Sequence, residues 1–495
     1  MSPTRRTLLL GSAVTASSLW ATSTRVSARL TDKSGADQPL PIPPLLDARG
    51  HGQALALTAQ SGQHEFFPGK PSSTFGYNGA YLGPTLRVHR GDDVQIAVTN
   101  ALNVDTTVHW HGLLVPGELD GGPHQIVRPG ATWRPVLPIR QAAATLWYHS
   151  HVHGRTAEQV YAGLAGLLIV TDEHEQTLGL PSDYGVDDLP LIVQDRQFQD
   201  GVLTRPQGMM TRMLGARGET LVVNGAVNPV ARVPRRRVRL RLANGANARQ
   251  FDFSFSDGRA FDWIASEGGL LAKPVSLTSL TLTPGERAEI LVDFSDGRAV
   301  ALQTAPDASL PTMAATMVPN ERMTVVRFAP QAVPGDATRP QAIVPATLTE
   351  PAPKDNATAA AATLVATETL RRRRFVMNMG MGGNGAFTIN GRAFAMARVN
   401  ETVRLGDTEI WEVTSSMMAH PFHIHGVHFQ VLRRNGAAPA LRDQGIKDTV
   451  FVAQQETVEL LVTFTHPASS SAPFMYHCHV LEHEDQGMMG QFAVG

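Results

Sequence analysis

Only one cysteine, Cys478, occurs in the 495 residues. A single thiol excludes an internal disulfide, whatever the compartment. Charge of one sign is lacking too: 43 Lys and Arg face 44 Asp and Glu, for a net charge of −1. No global basic field invites nucleic acid. Past the N-terminus there is no run of the roughly 20 apolar residues that crosses a bilayer, so no membrane insertion is expected after processing. Long helical periodicity is nearly absent. What the chain does have is length, enough for roughly two to four domains. It also has 18 histidines and 16 methionines, both of them side chains that bind copper.

The first residues, MSPTRRTLLLGSAVTASSLWA (1–21), set Arg5-Arg6 ahead of a short apolar stretch and then small residues. This reads as a Tat-type signal peptide over 1–28, cleaved between Ala21 and Ala28. Tat carries folded cargo, which suits a protein that takes up a cofactor before export. The expected destination is the periplasm or another exported location.

The body reads as all-β. Short alternating runs are punctuated by Gly, Pro, Asn and Asp. In RVRLRLAN (237–244), Arg237, Arg239 and Arg241 share one face, and Val238, Leu240 and Leu242 the other. The Arg stripe is read as a solvated strand face. Arg371–Arg374 is likewise read as a charged, solvated entry to a strand. One pattern recurs three times: YNGAYLGPTLRVHRGDDVQIAVTN (77–100), VNGAVNPVARVPRRRVRLRLAN (223–244) and INGRAFAMARVNETVRLGDTEIWEVT (389–414). Each copy begins at Asn-Gly and runs into a Val/Leu/Ile strand. Repeats this far apart imply three similar β domains, each a Greek-key sandwich. They are expected over 46–172, 173–328 and 366–495, with the Pro- and Ala-rich 329–365 as a linker.

Four segments share a His-x-His core: VHWHG (His109, His111), WYHSHVHG (His149, His151), HPFHIHG (His423, His425) and YHCHV (His477, His479). Histidines cluster in this way for a metal or a proton task. On a strand, residues i and i+2 face the same way, roughly 6–7 Å apart. Ligands of one first-row metal, with bonds of about 2 Å, lie closer together than that. Each pair is therefore suited to bridge two metals, and eight imidazoles divide among three ions as three, three and two. The middle residues, Trp110, Ser150, Ile424 and Cys478, point the other way. Cys478 thus serves a separate site while joined by backbone to His477 and His479. His420, His483 and Met488 complete a set of two His, one Cys and a weak axial Met, which is the donor set of a blue-copper electron-transfer site.

HWHG, WYHSHVHG, HPFHIHG and HCHVLEHEDQGMM together resemble the four copper motifs of the multicopper oxidases, and are most similar to those of bacterial exported copper-efflux oxidases and laccase-like enzymes. The resemblance implies three cupredoxin-like Greek-key β-sandwich domains and four copper ions, with a trinuclear cluster between the first and third domains. It implies a type 1 copper on His420, Cys478, His483 and Met488, and a type 2 copper on His109 and His423. One type 3 copper would take His111, His149 and His479, the other His151, His425 and His477. Asp120 and Glu484 sit where related enzymes have acids that supply protons, because reduction of O2 to water consumes them. The implied partners are O2 and a small-molecule or metal-ion electron donor: Cu(I) or another low-valent metal in copper homeostasis, or phenols and aromatic amines. Met377, Met379 and Met381 could form a thioether face or fill a core. Ser416 stands where an acidic residue would help hold a cation. His153 and His428 are candidates to support the ligands; His51, His64, His89, His124, His174 and His466 are read as surface or core residues. A copper nitrite reductase and a non-enzymatic exported scaffold of this fold are the alternatives. Eight cluster histidines count against the first, and a full set of twelve ligands against the second.

Overall fold

Apolar residues recur at every second position over short stretches, and those stretches are strands. In Asp93–Asn100 (DVQIAVTN), Val94, Ile96 and Val98 are buried while Asp93 and Gln95 are exposed. Such a strand has one face for a core and one for solvent. A computed structural model of the protein describes residues 38–332, 344–349, 369–380 and 387–495. The expected signal peptide, Met381 and most of the expected linker lie outside the described residues.

Six sheets form three stacked pairs. In the first pair, one sheet runs Leu45–Asp47, Thr85–His89, Ala165–Thr171, Ala144–His149, His109–His111, and the other is built around Ala54–Phe67 and Asp93–Asn100. The second pair joins an eight-stranded sheet centred on Arg237–Asn244 to a five-stranded one containing Phe251–Phe255. In the third pair, one sheet contains Arg372–Met379 and Thr408–Ser415, and the other contains His420–Ile424 between Phe474–Cys478 and Thr449–Val452. Each pair encloses an apolar core of its own. The longest described α-helix, Thr156–Ala162, has seven residues.

The recurring Asn-Gly has a physical reason. Asn78, Asn224 and Asn390 all sit in the left-handed region, with φ of 57°, 51° and 53°. Asn enters that region more readily than most residues. From there each side chain clasps a neighbouring strand at two positions. Asn78 accepts from the Thr58 amide and donates to the Ala56 carbonyl. Asn224 does the same to Ile192 and Pro190, and Asn390 to Val376 and Arg374.

Of the Arg stripe, only Arg237 keeps partial exposure. Arg239 and Arg241 are buried, because their face of the central strand is covered by the first pair of sheets. Arg239 pairs with Glu289 and, at 2.6 Å, with Glu175. Arg241 pairs with Asp188 at 2.7 Å and Glu289 at 3.0 Å, and donates to the Thr145 hydroxyl at 2.8 Å. Burial alone would raise the Glu289 carboxyl; the two guanidiniums hold it at about 2. The other Arg run behaves more as expected. Arg372 and Arg374 are exposed and reach Glu412, whereas Arg373 turns in to Glu409 at 2.6 Å.

Strand Met323–Gln331 runs into the stretch expected as linker. Leu348, also from that stretch, is buried in the second core, and its carbonyl accepts from His174 at 2.8 Å.

Candidate metal centre

Strand register brings the histidines together. His109–His111 pairs antiparallel with Ala144–His149, setting His109 opposite His149. His420–Ile424 pairs with Phe474–Cys478, setting His423 opposite His477. Within each His-x-His, the ring centroids are 5.6, 6.0, 4.9 and 5.6 Å apart in chain order. Closer approaches come between pairs. His425 Nε2 is 3.1 Å from His477 Nε2, and His151 Nε2 is 3.3 Å from the same atom. His111 Nδ1 lies 3.4 Å from His149 Nε2, and His423 Nε2 lies 3.5 Å from His109 Nε2. The ring nitrogens fall into buried groups His111–His149–His479, His151–His425–His477 and His109–His111–His423.

Five of the other ring nitrogens are spoken for. Nδ1 of His109 faces the Asp120 carbonyl, that of His149 the Ser150 carbonyl, and that of His423 the Asp448 carbonyl. His477 Nδ1 faces the Cys478 carbonyl, and His425 Nδ1 the Asp120 carboxylate at 2.8 Å. Each of these rings must donate from Nδ1, which leaves Nε2 as a bare acceptor. Burial, reinforced by the neighbouring rings, pushes His149, His151 and His477 well below the ordinary imidazole value. His425 is lowered to about 4 and His479 to about 3, again by burial first. Neutral rings thus turn lone pairs toward one another in a dry interior. Both ring nitrogens of His479 lack a hydrogen-bond partner. Such a cluster is costly unless a cation takes the lone pairs, so the donors present fit metal ions well.

Cys478 faces the opposite way from its flanking histidines, into the third core. Its Sγ lies 3.3 Å from His420 Nδ1 and 3.7 Å from His483 Nδ1, and those two nitrogens are 3.2 Å apart. A Cys/His₂ set of this size suits copper better than structural zinc. Burial pushes the Cys478 thiol up and lowers His420 to about 3. Met488 is buried in the same core, and its carbonyl accepts from the Cys478 amide at 3.0 Å. His483 Nε2 donates to the Met213 carbonyl of the short helix Met209–Leu214.

Two carboxylates flank the histidine cluster. Asp120 Oδ2 is 2.8 Å from His425 Nδ1 and 3.3 Å from His109 Nδ1. Burial raises its pKa, but the two imidazoles prevail and hold it well below the usual carboxylate range. Glu484 lies 3.3 Å from His151 Nδ1 and 3.2 Å from His477 Nδ1. Burial first, then Asp485, pushes it well above that range.

Other expectations resolve individually. His428 donates to the Gly112 carbonyl, beside His111, and His153 stacks edge-on against Phe394. Met377 and Met379 are buried in the third core, so the described part of that run fills space. The Ser416 hydroxyl donates to the Met377 carbonyl and to Asn378 Oδ1. Three residues at the cluster were not singled out from the sequence. Asp448 Oδ1 faces His111 Nε2 at 3.1 Å, Thr449 Oγ1 is 3.2 Å from His423 Nδ1, and Arg287 grips Asp448. Asp448 and Thr449 follow the HPFHIHG motif by more than twenty residues, with no spacing to mark them.

Residues 58–175, 191–326 and 366–495 each match the multicopper oxidase family. The chain belongs to the multicopper oxidase family. Membership implies copper binding, in agreement with the clustered donors. This multicopper oxidase is 41% identical to a bacterial laccase-like multicopper oxidase, CueO, from Ochrobactrum sp., with a TM-score of 0.81 over 92% of this chain and 100% of that one. It is 32% identical to the McoA multicopper oxidase of Aquifex aeolicus, with a TM-score of 0.80 over 93% of this chain and 100% of that one. It is also 40% identical over 461 residues to the cell division protein FtsP of Escherichia coli (strain K12), covering 93% of each chain. Among the described residues, no helix is long and apolar enough to cross a membrane.

Proposed function

We propose that this multicopper oxidase is an exported enzyme that couples one-electron oxidation of a donor to four-electron reduction of O2 to water. The observation that carries the reading is the set of buried lone pairs in two separate groups, linked by one strand. His420, Cys478, His483 and Met488 would hold a type 1 copper. His109 and His423 would hold a type 2 copper, and His111, His149, His479 and His151, His425, His477 the two type 3 coppers. Bound copper would supply the redox chemistry at both sites.

The chain supplies positioning and protons. The backbone from Cys478 to His477 and His479 is a short bonded path between the two groups. The carbonyls of Asp120, Ser150, Asp448 and Cys478 hold their rings so that Nε2 faces inward. Asp120 Oδ2 takes the His425 Nδ1 proton as a hydrogen bond and is near enough to the cluster to pass protons to reduced oxygen. Glu484, 3.3 Å from His151 Nδ1 and 3.2 Å from His477 Nδ1 but hydrogen-bonded to neither, would supply protons from that side. His483 is buried, its Nε2 edge capped by the Met213 carbonyl and its ring stacked on Phe387 at 4.8 Å, which leaves little of it for a bulky phenol to reach. That favours small, easily oxidised donors: a low-valent metal ion first, and easily oxidised phenols or aromatic amines second.

Similarity to proteins named for cell division favours a second reading, an exported scaffold of this fold without catalysis. One experiment separates the two. Copper-loaded protein is counted for metal, reduced without oxygen, and given a pulse of O2. Four coppers per chain with rapid reoxidation support the oxidase. Fewer coppers, or a reduced protein indifferent to O2, support the scaffold. Comparing kcat/KM for Cu(I) and for a phenol then ranks the donors.

A further inference from the structure

The middle pair of sheets carries none of the His-x-His motifs, yet one of its side chains reaches the cluster. Arg287, fully buried, donates to Asp448 Oδ1 at 2.9 Å and to Oδ2 at 2.6 Å. Its Nη1 also donates to the Gly285 carbonyl and its Nε to the Thr145 carbonyl of the first pair. The guanidinium therefore ties three pairs of sheets to one carboxylate. The neighbouring residues repeat the contact with charges reversed: Lys447 Nζ lies 3.0 Å from Glu286 and 2.8 Å from Glu267. Glu286-Arg287 and Lys447-Asp448 interlock as two crossed, buried ion pairs.

The held carboxylate has a task. Asp448 Oδ1 accepts from Thr449 Oγ1 at 2.8 Å and faces His111 Nε2 at 3.1 Å. A carboxylate can only accept, so His111 must carry its proton on Nε2. The ring then presents Nδ1 to His149, the reverse of the Nε2 presented by His109, His149, His423, His425 and His477. Left alone, a neutral imidazole exchanges its tautomers freely, so something must select this one. We propose that Arg287 is a positioning residue of the copper cluster. Through a bidentate grip on Asp448 it sets the His111 tautomer and, by fixing the Asp448 backbone, the His423 ring. This rests on the copper-cluster reading above.

The test uses the full chain with Arg287→Gln, Arg287→Lys and Asp448→Asn, each against wild type. The side chain in Asp448→Asn is isosteric but cannot accept both guanidinium N–H groups, so it checks the idea if Arg287→Gln folds poorly. Arg287→Lys keeps the charge and loses the fork. The first readout is the His111 tautomer in copper-free protein, by nitrogen-15 NMR. Wild type should be protonated on Nε2, and all three variants should show a mixture. The second is copper per chain under titration, with type 2 copper followed by its paramagnetic spectrum. Affinity there should fall about 10–100-fold, the usual effect of losing a ligand's supporting hydrogen bond, while the Cys478 site keeps its color. An unchanged tautomer together with unchanged copper uptake in Arg287→Gln and Asp448→Asn would overturn the proposal. A wild-type protein that takes up no cluster copper would overturn the function reading instead, and the tautomer comparison would still judge Arg287.

Discussion

Individual side chains at this cluster act through which atom they leave free. Asp120 shows it best. Its carbonyl takes the His109 proton and its carboxylate the His425 proton, so one residue orients two ligands that belong to different metals in the proposed assignment. Substituting Asp120→Asn keeps the backbone contact and leaves an amide oxygen for His425. Copper should therefore still bind, and the color of the Cys478 site should be intact. What is lost is an ionised carboxylate able to pass protons. Reoxidation by O2 should slow by about 100-fold, the lower end of what a positioned acid or base contributes. Stopped-flow reoxidation of the reduced, copper-loaded variant measures this directly. Turnover under air equal to wild type would leave Asp120 with orientation alone.

At the scale of strands and turns, the Asn clasp makes the three-fold repeat structural as well as textual. Asn224 is held by the Ile192 amide and the Pro190 and Pro41 carbonyls, at a φ of 51°. Asn224→Ala should cost about 2–3 kcal/mol, from stranded backbone groups plus the penalty of a left-handed alanine. Denaturant unfolding at neutral pH reads it, and a loss under about 0.5 kcal/mol would mean the turn holds without the side chain. The clasp also explains why so much was legible beforehand. Asn-Gly and His-x-His are local patterns whose meaning depends on strand geometry of period two, and that geometry is the same wherever a strand lies. The Arg stripe failed for a complementary reason. Period two shows that Arg237, Arg239 and Arg241 share a face, but not what covers it. Glu175 lies 64 positions before Arg239 in the chain, and only folding brings them together. Arg287 and Asp448, 161 residues apart, were illegible in the same way.

Across the whole molecule, buried charge links the pairs of sheets beside small apolar clusters such as Trp147 with Ile192 and Ala243. Arg239, Arg241, Glu289, Glu175 and Asp188 form one ionic network at the boundary between the first and second pairs of sheets. Thr145 joins them from strand Ala144–His149, donating to Glu289 at 2.6 Å. That strand ends in His149, so the ionic boundary steadies a ligand of the cluster. Glu289 titrates near 2 in the fold against an ordinary 4.5. A depressed carboxyl contributes stability that is fully present above pH 4.5 and is lost as pH falls through 2. The displacement corresponds to about 3 kcal/mol. Glu289→Gln would leave two buried guanidiniums short of a partner and should cost about 3–5 kcal/mol at pH 7. The gap between wild type and variant should narrow as pH drops from 4.5, because the unfolded wild-type chain then takes up a proton that the folded carboxylate does not. Unfolding free energies at pH 7 and pH 3, with both proteins free of copper, test the sign. A gap that is constant or widens toward acid would show that the boundary is held by packing, with the charges merely accommodated.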